Sequence, residues 1–163
     1  LHLQPFSRKY LSHVPHCFHA NIDARTGRKH SDSPSTSAYE FLWEISQSKK
    51  NNVKISLHFQ DDENKIGLFR IDYNSGHKNP ETASPDLPLI FKPYIGKWFD
   101  SNEHHAHYYV YGYKPLAWAI PLTESDFKVK NINNPHSDFI NAIINFAEII
   151  NLETKISFNS HLI

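Results

Sequence analysis

Residues 53–60 read VKISLHFQ, and their alternation is unbroken. Val53, Ile55, Leu57 and Phe59 share one parity, and Lys54, Ser56, His58 and Gln60 share the other. Period two marks a strand with one buried face and one polar face. The polar run DDEN at 61–64 interrupts the pattern, and KIGLFRIDY at 65–73 resumes it. Two such runs joined by a short polar turn predict a β-hairpin. In its second strand Phe69, Ile71 and Tyr73 point one way, and Leu68, Arg70 and Asp72 the other. The centre of the chain is thereby committed to antiparallel sheet, and the flanking segments must pack on it.

Around the hairpin, the first 33 residues carry no clear period. They include HVPHCFH (His13, His16, Cys17, His19) and a basic run with Arg25, Arg28, Lys29 and His30. SDSPSTS at 31–37 reads as a loop. Ser37 and Glu40 stand at capping-box spacing and predict a helix over 38–48, with Ala38, Phe41, Leu42 and Ile45 as its apolar stripe. Residues 74–103 are irregular, with prolines at 80, 85, 88 and 93. Their apolar middle, LPLIFKPYIGKWF, is expected to fold back as a lid or short helix. A third strand is expected at 104–113 and a fourth at 116–120, with Gly112–Pro115 as a tight join. Pro135 and Ser137 open a second helix reaching Ile150, with Phe139, Ile143, Phe146 and Ile150 inward, and 154–158 reads as a last short strand. The expected architecture is α+β, a single domain over 1–163. It has an antiparallel sheet of four to five strands and two main helices on one face.

Composition narrows the function. With 17 Lys+Arg against 17 Asp+Glu, the chain is not a strongly basic nucleic-acid binder that works by phosphate neutralisation alone. One cysteine, Cys17, allows neither an internal disulfide nor a multi-cysteine zinc site, and a free thiol fits a cytoplasmic setting. The same Cys17 reads as a small buried apolar residue rather than a nucleophile. The first twenty residues lack the apolar core of a signal peptide. The stretch Phe139–Leu152 is too short and too interrupted to cross a membrane, so no membrane partner is expected. Five glycines form no phosphate-cradling loop. Twelve histidines, by contrast, exceed any packing need.

The histidines with a pattern lie in HHAHYYVYGY. Strand parity places His105, His107, Tyr109 and Tyr111 on one face. Imidazoles at i and i+2 stand about 7 Å apart at Cα, near enough to share a substrate or a metal. Burying them without partners is costly, so their face is solvent or a cleft. Arg70 and Asp72 alone read as a surface ion pair worth under about 1 kcal/mol. If their strand pairs with HHAH, however, one surface gathers Arg70, Asp72, His77, His105, His107 and Tyr109.

Two chemistries fit such a surface. In the first, His105 and His107 transfer protons in phosphodiester cleavage. Arg70 stabilises the developing charge, His77 assists and Tyr109 positions or donates, without a cofactor. In the second, His105 and His107 form a bidentate platform, and His77 or Asp72 is the third ligand to Zn²⁺ or another divalent ion with an open position; the set His77, His105 and His107 is the first form of this reading. HVPHCFH is a further, weaker metal candidate. The alternating tyrosines 108, 109, 111 and 113 have the spacing to stack bases, although Tyr108 and Tyr113 read better as packing residues.

FRIDYNSGHKNPE followed by HHAHYYVYGYKPLAWAIPL resembles a family of uncharacterised bacterial proteins of prophages and mobile elements. Its pattern runs R-x-D, H-x-N-P, H-x-H-x-Y-x-E-G-Y and W-A-x-P-L. The matching positions are Arg70, Asp72, His77, Asn79, Pro80, His105, His107, Tyr109, Gly112, Tyr113, Trp118, Ala119, Pro121 and Leu122. The acidic position of the pattern is Tyr111 here, and 81–103 is longer than the pattern's connection. More distantly, the arginine–aspartate strand followed by paired histidines is similar to TumE-like toxins of toxin–antitoxin modules. That likeness implies RNA as target and a ribonuclease-type hydrolase or phosphodiester transferase. On this reading Asp72, Lys78, Asn79, Tyr111 and Trp118 bind substrate. A non-catalytic module that meets a cognate protein through the aromatic loop 87–99 is the expectation from a different class.

Overall fold

The structure is a computed structural model, and it describes residues 41–48, 50, 53–152, 156 and 158. The strands are β1 (Phe41–Gln47), β2 (Ile55–Asp61), β3 (Ile66–Tyr73), β4 (His77–Lys78), β5 (Trp98–Phe99), β6 (His105–Tyr108) and β7 (Trp118–Pro121). One α-helix, α1 (Ser137–Ile149), and two 3₁₀ helices, Leu89–Tyr94 and Leu122–Glu124, complete the described elements. Five strands form an antiparallel sheet in the order β1-β2-β3-β6-β7, and β4 and β5 form a separate two-stranded ribbon. The fold is α+β.

The β2–β3 hairpin forms as the alternation requires. Its register sets Leu57 opposite Ile71 and Ser56 opposite Asp72, with an irregularity between Phe59 and Gln60. β6 extends it, pairing Ile71 with Ala106 and Asp72 with His105. Cross-strand partners share a face. The sheet therefore has an apolar face bearing Leu57, Ile71, Ala106 and Ile120, all with 0% exposure. Its other face carries Ser56, Arg70, Asp72, His105 and His107.

Helix α1 covers the apolar face. Asn134 Oδ1 accepts the His136 and Ser137 N–H groups at 3.0 and 3.1 Å, satisfying donors at the helix start. At the other end Asn151 is left-handed (φ 55), Leu152 N–H reaches Ala147 O at 2.9 Å, and Asn151 N–H reaches Glu148 O at 3.2 Å. That is a Schellman ending, and it closes the helix where the sequence period stops. Phe146 stacks on Phe69 and Trp43, with ring centroids 5.2 and 5.7 Å apart. Ile143 and Ile150 are also buried, as the stripe predicts, while Phe139 is only partly so.

Residues 74–103 wrap the β7 edge. The β4–β5 ribbon lies on the polar face of the sheet, where His77 and Phe99 meet His105. Asn79 then pairs with the edge itself. Its Oδ1 accepts Ala119 N–H at 2.9 Å and its Nδ2 donates to Ala119 O at 2.8 Å, as a neighbouring strand would. The first 3₁₀ helix reaches the apolar face, where Phe91 meets Tyr108 and Trp118 at 5.9 and 6.0 Å.

Three expectations change. Residues 41–47 of the expected helix are strand β1, because FLWEISQ also alternates and the open edge of β2 is available to it. Trp43 lies opposite Phe59, and Ile45 opposite Leu57. Long-range pairing overrides a local capping signal. The strand expected at 104–113 ends at Tyr108, and the tight join becomes the loop 109–117, with Gly112 at φ 84 and Leu116 at φ 55. The HVPHCFH segment, the basic run to His30, the loop 31–37 and the capping pair Ser37 and Glu40 lie outside the described residues, as does most of 154–158.

Candidate metal centre on the polar face of the sheet

Register builds the site. Arg70 pairs with His107 and Asp72 with His105 across β3 and β6, while Ser56 and His58 of β2 face Asp72 and Arg70 from the other side. Each Nδ1 of the histidine pair is tied to a backbone carbonyl: His105 to Glu103 O at 2.8 Å, His107 to Leu116 O at 2.9 Å. A carbonyl only accepts, so Nδ1 carries the proton in both rings, and in a neutral ring Nε2 is left with a lone pair.

Both lone pairs turn toward one carboxylate oxygen. Asp72 Oδ2 lies 3.1 Å from His107 Nε2 and 3.7 Å from His105 Nε2. The three ligand atoms fall within 4.8 Å of one another. His105 Nε2 has no hydrogen-bond partner among the described residues, and His105 and His107 are both 0% exposed. Ser56 Oγ–H donates to Asp72 Oδ1 at 2.6 Å and leaves Oδ2 for the histidines. Three acceptors this close repel unless positive charge lies among them. Arg70 supplies it: Nη2 donates to His107 Nε2 at 3.0 Å, and Nε stands 3.0 Å from Asp72 Oδ2 without aiming its hydrogen there.

Burial pushes the His107 ring down to about 4, against the opposing pull of Asp72. Burial also lowers His105 and His77. Burial would raise Asp72, but the Arg70 charge and the Ser56 hydroxyl favour the ionised carboxyl and hold it below its usual range. At neutral pH the rings are therefore neutral and the carboxylate ionised, which is the donor state a metal requires.

His77 plays another part. Its Nε2–H is shared between Asn79 Oδ1 and Ala117 O, both at 3.1 Å. Its ring stands edge-on to His107 at 4.4 Å and stacks over His105 at 5.7 Å. Phe99 adds a second cover, 4.9 Å from the His105 ring. The inner face of the ribbon thus roofs the histidine pair. Half-buried His77 and Arg70, whose side chain is 30% exposed, are the parts of the group that meet solvent.

A family model described as a family of unknown function, DUF6978, matches residues 11–152. The chain belongs to this family. The match spans the whole described sheet and every residue of the Asp72–His105–His107 group. Neither the curated proteins nor the solved structures contain a match to this DUF6978 chain.

Of the residues singled out in the sequence, Arg70, Asp72, His77, His105 and His107 converge. Asp72, rather than His77, completes the three-ligand group. Asn79 is 1% exposed and braces β7. Lys78 points away from the site toward Glu81. Trp118 lies on the opposite, apolar face, fully buried against Phe91 and Tyr113. Tyr109 follows the end of β6, its N–H bonded to Leu68 O, and Tyr111 is 72% exposed in the following loop. Ser56 was not singled out, although its parity in the alternating run already placed it beside Asp72. His58 was also passed over; it sits opposite Arg70 with Nδ1 3.3 Å from Glu44.

Among the described residues no helix is long and apolar enough to cross a membrane.

Proposed function

We propose that this chain is a divalent-metal protein in which Asp72 Oδ2, His105 Nε2 and His107 Nε2 hold the ion, with Arg70 beside it for an anionic substrate. One observation carries the reading: both Nδ1–H groups are fixed on backbone carbonyls, and the Nε2 lone pairs converge on one carboxylate oxygen. Outer contacts of this kind set the tautomer and orient ligating histidines. Two imidazoles and a carboxylate suit zinc and other first-row divalent ions and leave coordination positions open. An ion there would polarise a bound water or a phosphoryl oxygen. The likeness of the motif pattern to prophage-type proteins and TumE-like toxins makes a phosphodiester, in RNA, the substrate class to test first.

A second reading has its own support. The Arg70 guanidinium already supplies positive charge to the group. The histidine pair would then act by proton transfer without a metal. Zero exposure of both rings and their neutral state weigh against it, since a general acid must be protonated at the working pH. Incubation of a structured RNA with the metal-stripped chain, with and without added Zn²⁺ or Mn²⁺, decides between them. Cleavage only with metal, lost in His107→Ala, is the expected result. Cleavage in EDTA supports the metal-free reading. Intact RNA under every condition removes RNA hydrolysis from both.

A further inference from the structure

We infer that Arg70 is a tethered cation that competes with the metal for this site, so that metal entry drives the arginine outward to where it meets substrate. The inference rests on the metal reading above and adds a sign to it. The neutral His107 ring offers one lone pair at Nε2, because its Nδ1–H is held by Leu116 O. Arg70 Nη2 occupies that lone pair at 3.0 Å. A metal bound at His107 Nε2 needs the same lone pair, and a single lone pair cannot serve both. The contact at Asp72 adds to the competition, because Arg70 Nε stands 3.0 Å from the Oδ2 oxygen of the ligand group.

The displaced side chain has somewhere to go. Arg70 is 30% exposed, whereas His105 and His107 have no exposure and are held by backbone contacts. The arginine is the mobile partner and the histidines are the fixed frame. Strand pairing fixes its backbone between His107 and His58, while the Nη2 contact to His107 and the Nε approach to Asp72 hold its guanidinium over the site. An arginine released from two ligand atoms keeps its five donors for an anionic oxygen close to the ion. The metal-free chain therefore holds its own anion-binding residue in reserve.

Calorimetric titration with Zn²⁺ or Mn²⁺ alone tests this on the full chain, its Arg70→Gln and Arg70→Lys variants, and His105→Ala. Arg70→Gln removes the charge, and it is expected to bind the ion at least about tenfold more tightly than wild type. Arg70→Lys is expected between them, and His105→Ala to bind far more weakly. An arginine that instead helps to build the site gives the opposite sign, and unchanged or weaker binding in Arg70→Gln overturns the competition while leaving the metal reading in place. Absence of binding in every protein, wild type and variants alike, overturns both. Because Arg70→Gln can be too unstable to titrate, wild type is also treated with phenylglyoxal and peptide-mapped at Arg70. Competition predicts faster modification once metal is added, and equal or slower modification contradicts it.

Discussion

The two faces of the sheet are made by the same strands and are buried to the same degree at their centres, yet they are opposite in kind. Ile71 and His107 sit on neighbouring strands, and both are 0% exposed. On the apolar face, burial is itself the stabilising act, roughly 1.5–3 kcal/mol for each large side chain. On the polar face, burial works against Asp72 and both histidines, and partners must offset it. A chain that needed only stability would carry valine or isoleucine at these positions. The polar face is held by its own hydrogen bonds and charges, and it is the face on which the proposed metal site rests.

The comparison breaks most visibly under a mutation confined to one side. Phe146→Ala is expected to cost about 3–5 kcal/mol, because it opens a cavity between α1 and the sheet. Denaturant unfolding measures the loss, and metal content per folded chain should be unchanged. Loss of metal from a still-folded variant would mean that the faces are not independent.

Asp72→Ala is expected to cost less, about 2–3 kcal/mol, since Arg70 loses its partner but is partly open to water. Unlike Phe146→Ala, it should remove metal binding altogether. Full metal retention would take the carboxylate out of the ligand set.

Acidification sharpens the contrast. The folded His107 ring is lowered from 6.5 to about 4, so the unfolded chain binds more protons in that interval. Stability from this group is present above about pH 6.5 and is lost as pH falls toward 4. His105 and His77 shift in the same direction, and the depressed Asp72 extends the loss below its unfolded value of about 4. Unfolding midpoints measured in EDTA should therefore fall steadily between pH 7 and pH 4. A flat or rising profile would contradict the buried, neutral state of the rings.

Smaller effects belong to the periphery. Asn79→Ala leaves the edge N–H and C=O of Ala119 without their partner and is expected to cost about 1–3 kcal/mol. Trp98, 62% exposed on the outer side of the ribbon, should change stability by under about 0.5 kcal/mol when replaced by alanine. A larger loss would show that the roof over the histidines depends on its outer side as well.

Parity carried much of this into the sequence. The alternation of VKISLHFQ and KIGLFRIDY gave the hairpin and both of its faces, and HHAH gave the partner strand. Arg70, Asp72, His105 and His107 were therefore legible as one surface. β1 was not, because FLWEISQ satisfies helical and strand spacing together and only the vacant β2 edge selects between them. The side of the sheet that Trp118 takes was not legible either. Its face is set by the pairing with Tyr108, on the apolar side, and a motif that lists it beside the histidines carries no such register. The sequence placed His77 with the pair, but not its covering position or the contact that sets it. His77 reaches the pair because Asn79 anchors the connection to Ala119, 40 residues away, and short-range spacing does not encode that contact. Complete burial of the histidines follows from this fold-back, and of the two expectations for their face, solvent or cleft, it sets aside solvent.

Zinc counting on the purified full chain tests the central claim most directly. The chain is saturated, passed through gel filtration and analysed as wild type, as His105→Ala with His107→Ala, and with His13, His16 and His19 replaced by alanine. The account predicts one zinc per chain in wild type and in the His13, His16 and His19 variant, and none in the His105 and His107 variant. Zinc that persists without His105 and His107, or is absent from wild type, contradicts it.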